Sequence, residues 1–179
     1  MTRQFLLASA LALLLCAAAP PVSFTPVAPD FASASEEYRR LWEEDGPRIV
    51  AAMERATGLA FPPDPIHAIV SEGRPMASFD GRTIRLRASY STAYKKATLA
   101  HEIGHRLAFT LPRRDGLDDH RLLYLFLYDV WTDLYGKDFA DRMVSIERRI
   151  GPAYEAAWSW ALAMTRDERQ AKLRALLAP

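Results

Sequence analysis

The pentapeptide His101–His105, which reads His-Glu-Ile-Gly-His, constrains the fold more than any other part of the chain. Two histidines four residues apart project from one face of a helix, one turn apart. Held in that way, the two imidazoles can bind one zinc ion, and the glutamate between them can act as a general base beside it. The chain has only 4 histidines, so chance is a poor explanation for this spacing. The sequence therefore predicts a helix that carries a zinc site, with His101 and His105 as ligands and Glu102 as the catalytic base.

The composition is that of an ordinary globular protein. The 179 residues are 50% hydrophobic and 25% charged, enough for one domain with a substantial core. The formal net charge is +1, and basic and acidic residues are spread along the chain. This distribution lacks the basic patch of a nucleic-acid-binding protein, so we expect no nucleic-acid partner.

The N-terminus predicts export. Arg3 is followed by an apolar run over residues 5–19, the layout of a secretory signal peptide, which we place at residues 1–19. An uncleaved membrane anchor is the alternative, but the run is short for a membrane span. Cys16, the only cysteine, lies in this segment. We therefore expect a periplasmic or secreted monomer without disulfides, and no membrane association after signal removal.

The chain after the signal divides into a leader and one domain. Residues 20–34 are rich in proline and predict a flexible leader, and residues 35–179 predict the domain. A helix is expected from Ser35 to Thr57, with a kink or break at Pro47. Short strands should follow over residues 66–71, 76–79 and 83–87, the last two joined by an Asp80-Gly81 hairpin turn.

The second half of the domain is expected to be mainly helical. The zinc-binding helix should cover about residues 92–110, and an apolar helix should begin near residue 122 and extend to Trp131 or beyond. Three more helices are expected over residues 138–149, 153–164 and 165–177. The predicted fold is α+β and zincin-like, with a small, mostly antiparallel three-stranded sheet packed on the zinc-binding helix.

A catalytic zinc usually has three protein ligands, so a third must come from elsewhere. Metzincins place a third histidine six residues after the second, and Leu111 at that position excludes them. Asp129 is one candidate, since a carboxylate in an apolar helix is costly unless it is paired or bound to a metal. His120 is the alternative. If it is not a ligand, it could donate to the reacting carbonyl oxygen, as Tyr124 or Tyr128 could.

Asp133 lies four residues after Asp129, on the same helical face. Metal-bound histidines usually donate their second ring N–H to a carboxylate, and we expect Asp133 to accept this bond from His101.

The zinc-binding pentapeptide, the strands before it and the two aspartates after it resemble the gluzincins, the thermolysin-like metallopeptidases, and most closely the small single-domain minigluzincins. The resemblance covers about residues 36–149. It implies that Asp129 takes the place of the gluzincin glutamate ligand and Asp133 that of the aspartate behind the first histidine. It also implies that an extended substrate binds along the edge strand Met76, Ala77, Ser78 and Phe79. The departure is that Asp129 is one carbon shorter than glutamate.

A second family of zinc peptidases is also relevant to the third ligand. Aspzincins use an aspartate near a Tyr-Gly pair, and Tyr135-Gly136 is similar, although the full motif spacing does not match.

The expected function is zinc-dependent hydrolysis of peptide bonds in a peptide or protein substrate. Four alternatives stay open. The zincin fold could be catalytically silent, or latent beneath its C-terminal segment. The protein could be a secreted binding module that presents residues 76–79, or a hydrolase of another amide, such as a peptidoglycan stem.

Overall fold

The computed structural model describes residues 19–114 and 116–178. The predicted signal peptide, including Cys16, lies outside the described residues except for its last position, Ala19. Within the described part of the chain, no helix is both long and apolar enough to cross a membrane.

A mixed sheet of 4 strands forms one layer, in the order β1-β2-β4-β3. The strands are β1 (Val22–Pro26), β2 (Ile66–Ser71), β3 (Met76–Ala77) and β4 (Thr83–Arg87). β2 pairs in parallel with both β1 and β4, and only β3 is antiparallel to its neighbour. The fold is α+β as predicted, but the prediction of a mostly antiparallel sheet of three strands is wrong.

The strand missed by the sequence analysis is β1, which lies in the predicted flexible leader. Val22 and Phe24 are half-buried, whereas Ser23 and Thr25 are exposed, the alternation of a strand with one covered face. The nearby prolines lie at the ends of this edge strand, where no ladder hydrogen bond is lost. Phe24 stacks on Tyr38 of the first helix.

The predicted Asp80-Gly81 hairpin is confirmed between β3 and β4. Gly81 has φ of 63°, a left-handed conformation that favours glycine. A Cβ at Gly81 would also lie 2.6 Å from Cβ of Arg106, so this turn rests directly on the helix that carries the pentapeptide. β3 ends at Ala77, and Ser78 and Phe79 follow it into the turn.

Two long helices cover one face of the sheet. Helix α1 (Ala32–Thr57) packs on β1 and continues through Pro47, so the possible break there does not occur. Helix α2 (Thr92–Ala108) packs on β4 and on α1. In β2, Ile66, Ala68 and Val70 are buried and His67 is exposed, so the opposite face of the sheet is open to solvent.

Five shorter helices form the rest of the domain: α3 (Asp119–Tyr124), α4 (Leu127–Tyr135), α5 (Lys137–Arg148), α6 (Pro152–Leu162) and α7 (Arg166–Leu177). The apolar segment expected to form one helix is interrupted at Leu125 and Phe126, where α3 ends and α4 begins. The two candidates for the third zinc ligand therefore lie on different helices, His120 on α3 and Asp129 on α4.

Candidate metal centre

Helix α2 places the pentapeptide in the interior of the protein. Ser91 caps the helix by accepting a hydrogen bond from the backbone N–H of Tyr94. His101, Glu102 and His105 are each buried. Burial of three polar side chains on one helix indicates a site, because solvent does not satisfy them.

The glycine of the pentapeptide allows a second helix to approach. A Cβ at Gly104 would lie 2.7 Å from Cδ1 of Leu123 on α3. Glycine therefore permits the close packing of α3 on α2 that brings His120 to the other two histidines. Asp118 fixes the start of α3 by accepting a hydrogen bond of 2.8 Å from the backbone N–H of Arg121.

Three histidines converge at this packing point. One possible ligand atom from each of His101, His105 and His120 can be chosen so that all lie within 4.8 Å of one another. The Nε2 atoms of His101 and His105 are 3.2 Å apart. Two nitrogens bound to one tetrahedral zinc at ordinary bond lengths are about 3.3 Å apart. The geometry therefore fits a zinc ion, and His120, the alternative candidate for third ligand, is the residue brought to this position.

A buried carboxylate holds the first histidine in place. Glu147 on α5 accepts a hydrogen bond of 2.8 Å from Nδ1 of His101 when that nitrogen carries a proton. The other oxygen of Glu147 accepts bonds from the hydroxyl of Tyr124 and the indole N–H of Trp158, at 2.8 and 2.9 Å. A proton on Nδ1 leaves Nε2 of His101 free to bind a metal.

The charges around the cluster separate the pKa values of the histidines. Burial opposes the charged form of His101, yet the Glu147 carboxylate raises its pKa to about 9. Burial, followed by the charge of His101, lowers the pKa of His105 well below its usual value and that of His120 to about 4. Burial also raises the pKa of Glu102 to about 7. His105 and His120 are thus neutral at neutral pH, the form that binds metal.

Two buried atoms of the pentapeptide have no hydrogen-bond partner among the described residues. They are Oε2 of Glu102 and Nδ1 of His105. Buried polar atoms are nearly always bonded, so such atoms call for an explanation. Glu102 lines the same cavity as the three histidines, and a carboxylate oxygen without a partner at such a place is expected of a general base that awaits water or substrate.

Asp129, the preferred third ligand in the sequence analysis, does not join the histidines. Its carboxylate forms a buried ion pair with Arg169 on α7, with N–O distances of 2.6 and 3.2 Å. Arg169 also donates to the backbone oxygen of Met164. The inference that a buried aspartate needs a positive partner was sound, but the partner is a guanidinium rather than a metal.

Asp133 does not have the expected position behind His101. It lies on the same helix as Asp129 and pairs with Arg166 at 2.8 and 2.7 Å. Glu147 occupies the predicted place of Asp133. The sequence does contain a signal for Glu147, because it continues the apolar stripe Ala140, Met143, Val144 of α5.

Neither tyrosine proposed as a donor to the reacting carbonyl faces the cavity. The hydroxyl of Tyr124 donates to Glu147, and that of Tyr128 donates to Asp141 at 2.7 Å. Tyr154 on α6 is the residue that the sequence analysis missed. Its ring lies 4.4 Å from that of His120, and its hydroxyl makes no hydrogen bond to any described residue.

The histidines and Glu102 lie at the floor of a cleft formed by two adjoining cavities of about 220 Å³ each. The cavity on the β3 side is lined by all three histidines and by Met76, Ala77 and Phe79. The other is lined by His101, Glu102, Arg74 and several tyrosines. Of the predicted edge strand, Met76 and Phe79 are exposed and border the cleft, whereas the hydroxyl of Ser78 bonds to Asp80.

Comparison of the chain with protein-family models, with curated proteins and with solved structures gives no significant match.

Proposed function

We propose that this protein is an exported, zinc-dependent hydrolase of peptide bonds, in which His101, His105 and His120 hold the metal and Glu102 is the general base. The observation that carries the proposal is the convergence of two buried histidines and the half-buried His120 with a buried, unpartnered carboxylate oxygen at the floor of one cleft. A set of imidazole nitrogens favours zinc over the harder magnesium and calcium ions.

In the proposed reaction, the metal and the side chains of the protein have different roles. A zinc ion held by the three histidines supplies a Lewis acid, which polarises the scissile carbonyl and makes water acidic enough to react at neutral pH. Glu102 accepts the proton of the attacking water at Oε2 and transfers it to the leaving amine. Tyr154, whose free hydroxyl lines both cavities, is placed to donate to the carbonyl oxygen.

The edge strand provides a way to align an extended substrate. The backbone N–H of Ser78 bonds to Thr83 of β4. Because hydrogen-bonding directions alternate along an antiparallel strand, the N–H and C=O of Ala77 point away from β4. A peptide that adds to this edge would bond to Ala77 and place its backbone across the cleft that contains the histidines.

The proposed site resembles that of gluzincins in part. The sheet, the zinc-binding helix and the edge strand support a zincin-like arrangement. The third ligand differs, because a histidine of α3 takes the place of the gluzincin glutamate. Glu147, from a later helix, replaces the aspartate that supports the first histidine.

The alternative of a latent enzyme, covered by its own C-terminal segment, has less support. Trp158 of α6 donates to Glu147, and Arg169 of α7 neutralises Asp129. The C-terminal helices therefore contribute to the support of the site and are not only a cover over it.

Replacement of the base tests the proposal. Glu102→Gln should bind one zinc per chain, as the wild type does, and should cleave a library of internally quenched peptides at least about 100-fold more slowly. The control is Glu43→Gln, an exposed glutamate on α1. Full peptide cleavage by Glu102→Gln, or a wild-type chain that binds no zinc, would contradict the proposal.

A further inference from the structure

The cleft is chemically different at its two ends. At the end beyond β3, its exposed lining is mainly apolar, with Met76 47% and Phe79 83% exposed and Phe109 beside them, and Arg74 and Asp119 also border this cavity. At the other end, the cavity is lined by Arg74, Arg87, Tyr90, Tyr94 and Tyr154. A peptide lying across the cleft would therefore meet an apolar surface on one side of the histidines and a basic, tyrosine-rich surface on the other.

Arg74 is an arginine of this cleft that has no ion-pair partner among the described residues. It lies between β2 and β3, is exposed, and borders both cavities. Among the described residues it makes no ion pair, whereas Arg87 is held by Glu72 and Arg106 by Asp64. An arginine has five N–H donors in a fixed planar array, the geometry that matches a carboxylate.

The remaining groups in this cavity are also mainly donors. Arg87 uses one N–H for Glu72 and lies over the ring of Tyr90. Tyr154 has a free hydroxyl. The negatively charged acceptors are Glu102 and Glu147, and both oxygens of Glu147 are already bonded to His101, Tyr124 and Trp158. The cavity thus offers the unpaired guanidinium of Arg74 and the free hydroxyl of Tyr154 as donors to a negatively charged group.

We propose that this cavity is a substrate subsite for a carboxylate group, bound by Arg74 with Arg87 beside it. The proposal rests on the proposed peptidase function and names its substrate class: a peptide with a carboxylate on one side of the cleaved bond and an apolar side chain on the other. The carboxylate belongs either to an aspartate or glutamate side chain or to the C-terminus of the peptide. Arg74 and Phe79 are five residues apart in this chain, so the distance between them is at most about the length of five extended residues. The two groups of an extended substrate that they contact are therefore expected within about five residues of each other.

The test uses short internally quenched peptides that hold one phenylalanine in an alanine–serine background. Glutamate, or the isosteric glutamine, is placed at each other position in turn, and every peptide is made with a free and with an amidated C-terminus. The zinc-loaded proteins are wild type, Arg74→Gln and the control Arg142→Gln, an exposed arginine of α5 that borders neither cavity.

The expected result is that wild type cleaves the glutamate peptide with a kcat/KM about 10- to 100-fold above that of its glutamine partner at one position. Arg74→Gln should remove this preference by lowering kcat/KM for the glutamate peptide to that of its glutamine partner, and Arg142→Gln should keep the preference. A preference found only between free and amidated C-termini identifies the terminal carboxylate as the source. Equal rates for each pair in wild type, or an undiminished preference in Arg74→Gln, would overturn the inference.

A binding measurement separates this inference from the proposed function. The same peptides are titrated into zinc-loaded Glu102→Gln, with and without Arg74→Gln, and affinity is measured by fluorescence anisotropy. If no peptide is cleaved by wild type but the carboxylate peptides bind about 10-fold more tightly and only with Arg74 present, the peptidase proposal fails and the subsite stands. If cleavage occurs and neither rate nor affinity depends on the carboxylate, the peptidase stands and the subsite fails.

Discussion

At the level of single residues, Glu147 supports the proposed metal site through its hydrogen bond to His101. Glu147→Gln keeps an oxygen that can accept from His101 but removes the negative charge. We expect zinc affinity to fall by about 10- to 100-fold, as for other carboxylates behind metal-bound histidines. A competition titration against a chromophoric chelator measures this, with Glu43→Gln as the control. An unchanged affinity would show that Glu147 does not support the metal ligand.

The charge of Glu147 also predicts how the stability of the metal-free protein varies with pH. The pKa of His101 is raised to about 9 in the folded protein, above its unfolded value of about 6.5. The stability gained from its proton is fully present below pH 6.5 and is lost as the pH rises through 9, by up to about 3 kcal/mol. Urea unfolding of the metal-free wild type at pH 6.5, 8 and 9.5 should show this loss.

Glu147→Gln provides the comparison for the pH measurement, because His101 then lacks the charge that raises its pKa. Its stability should vary less between pH 6.5 and 9.5 than that of wild type. The same slope in both proteins would show that the pair formed by His101 and Glu147 does not control this titration.

Substitution of Asp129 tests whether this residue forms an ion pair or binds zinc. Asp129→Asn should leave the Arg169 guanidinium buried and uncompensated, at a cost of about 3 to 5 kcal/mol in the free energy of unfolding. The zinc content of the folded variant should stay at one per chain, measured by atomic emission on protein purified in the cold. If Asp129→Asn lost zinc while its free energy of unfolding stayed unchanged, Asp129 would be a zinc ligand.

At the level of elements, the packing of α3 on α2 determines which residue can be the third ligand. Gly104→Ala places a Cβ 2.7 Å from Cδ1 of the buried Leu123, so α3 must shift. We expect a loss of about 1 to 3 kcal/mol in unfolding free energy, together with weaker zinc binding because His120 moves with α3. The matched control is Gly151→Ala, where no atom lies within 4 Å of the new Cβ and the backbone is extended. Wild-type zinc affinity in Gly104→Ala would contradict this coupling.

The elements also show why the third ligand could not be predicted from the sequence. The segment from Leu122 to Trp131 is apolar throughout, so its hydrophobic pattern gives no indication of the break after α3. If this segment formed one helix, His120 and Asp129 would be competing candidates for the third ligand on the same rigid element. Because the helix breaks after α3, His120 lies near the other two histidines and Asp129 pairs with Arg169 of α7.

At the level of the whole molecule, the C-terminal helices and the metal site form one structural unit. A chain that ends at Gly151 loses Trp158, Arg166 and Arg169, and with them the partners of Glu147, Asp133 and Asp129. We expect it to lose cooperative thermal unfolding, followed by circular dichroism, and to lose zinc. A folded, truncated chain that cleaves peptides faster than the full chain would instead support latency.

The local patterns of the sequence predicted much of this molecule. The pentapeptide placed α2 and two of the three clustered histidines, and the Asp80-Gly81 turn placed the hairpin. The helix predicted over residues 165–177 is present as α7, and Thr165 and Glu168 form a capping box at its start. The parallel pairing of β1, β2 and β4, and the roles of Glu147 and Tyr154, depend on contacts between distant parts of the chain, which local periodicity does not contain.

The central claim is that three histidines and no protein carboxylate bind the metal. Its most direct test is X-ray diffraction from zinc-loaded crystals, with anomalous data collected on both sides of the zinc absorption edge. We predict one zinc per chain, about 2.0 to 2.1 Å from one nitrogen each of His101, His105 and His120, with Asp129 still paired to Arg169. A zinc bound to the Asp129 carboxylate, or no anomalous peak at the histidines, would contradict the claim.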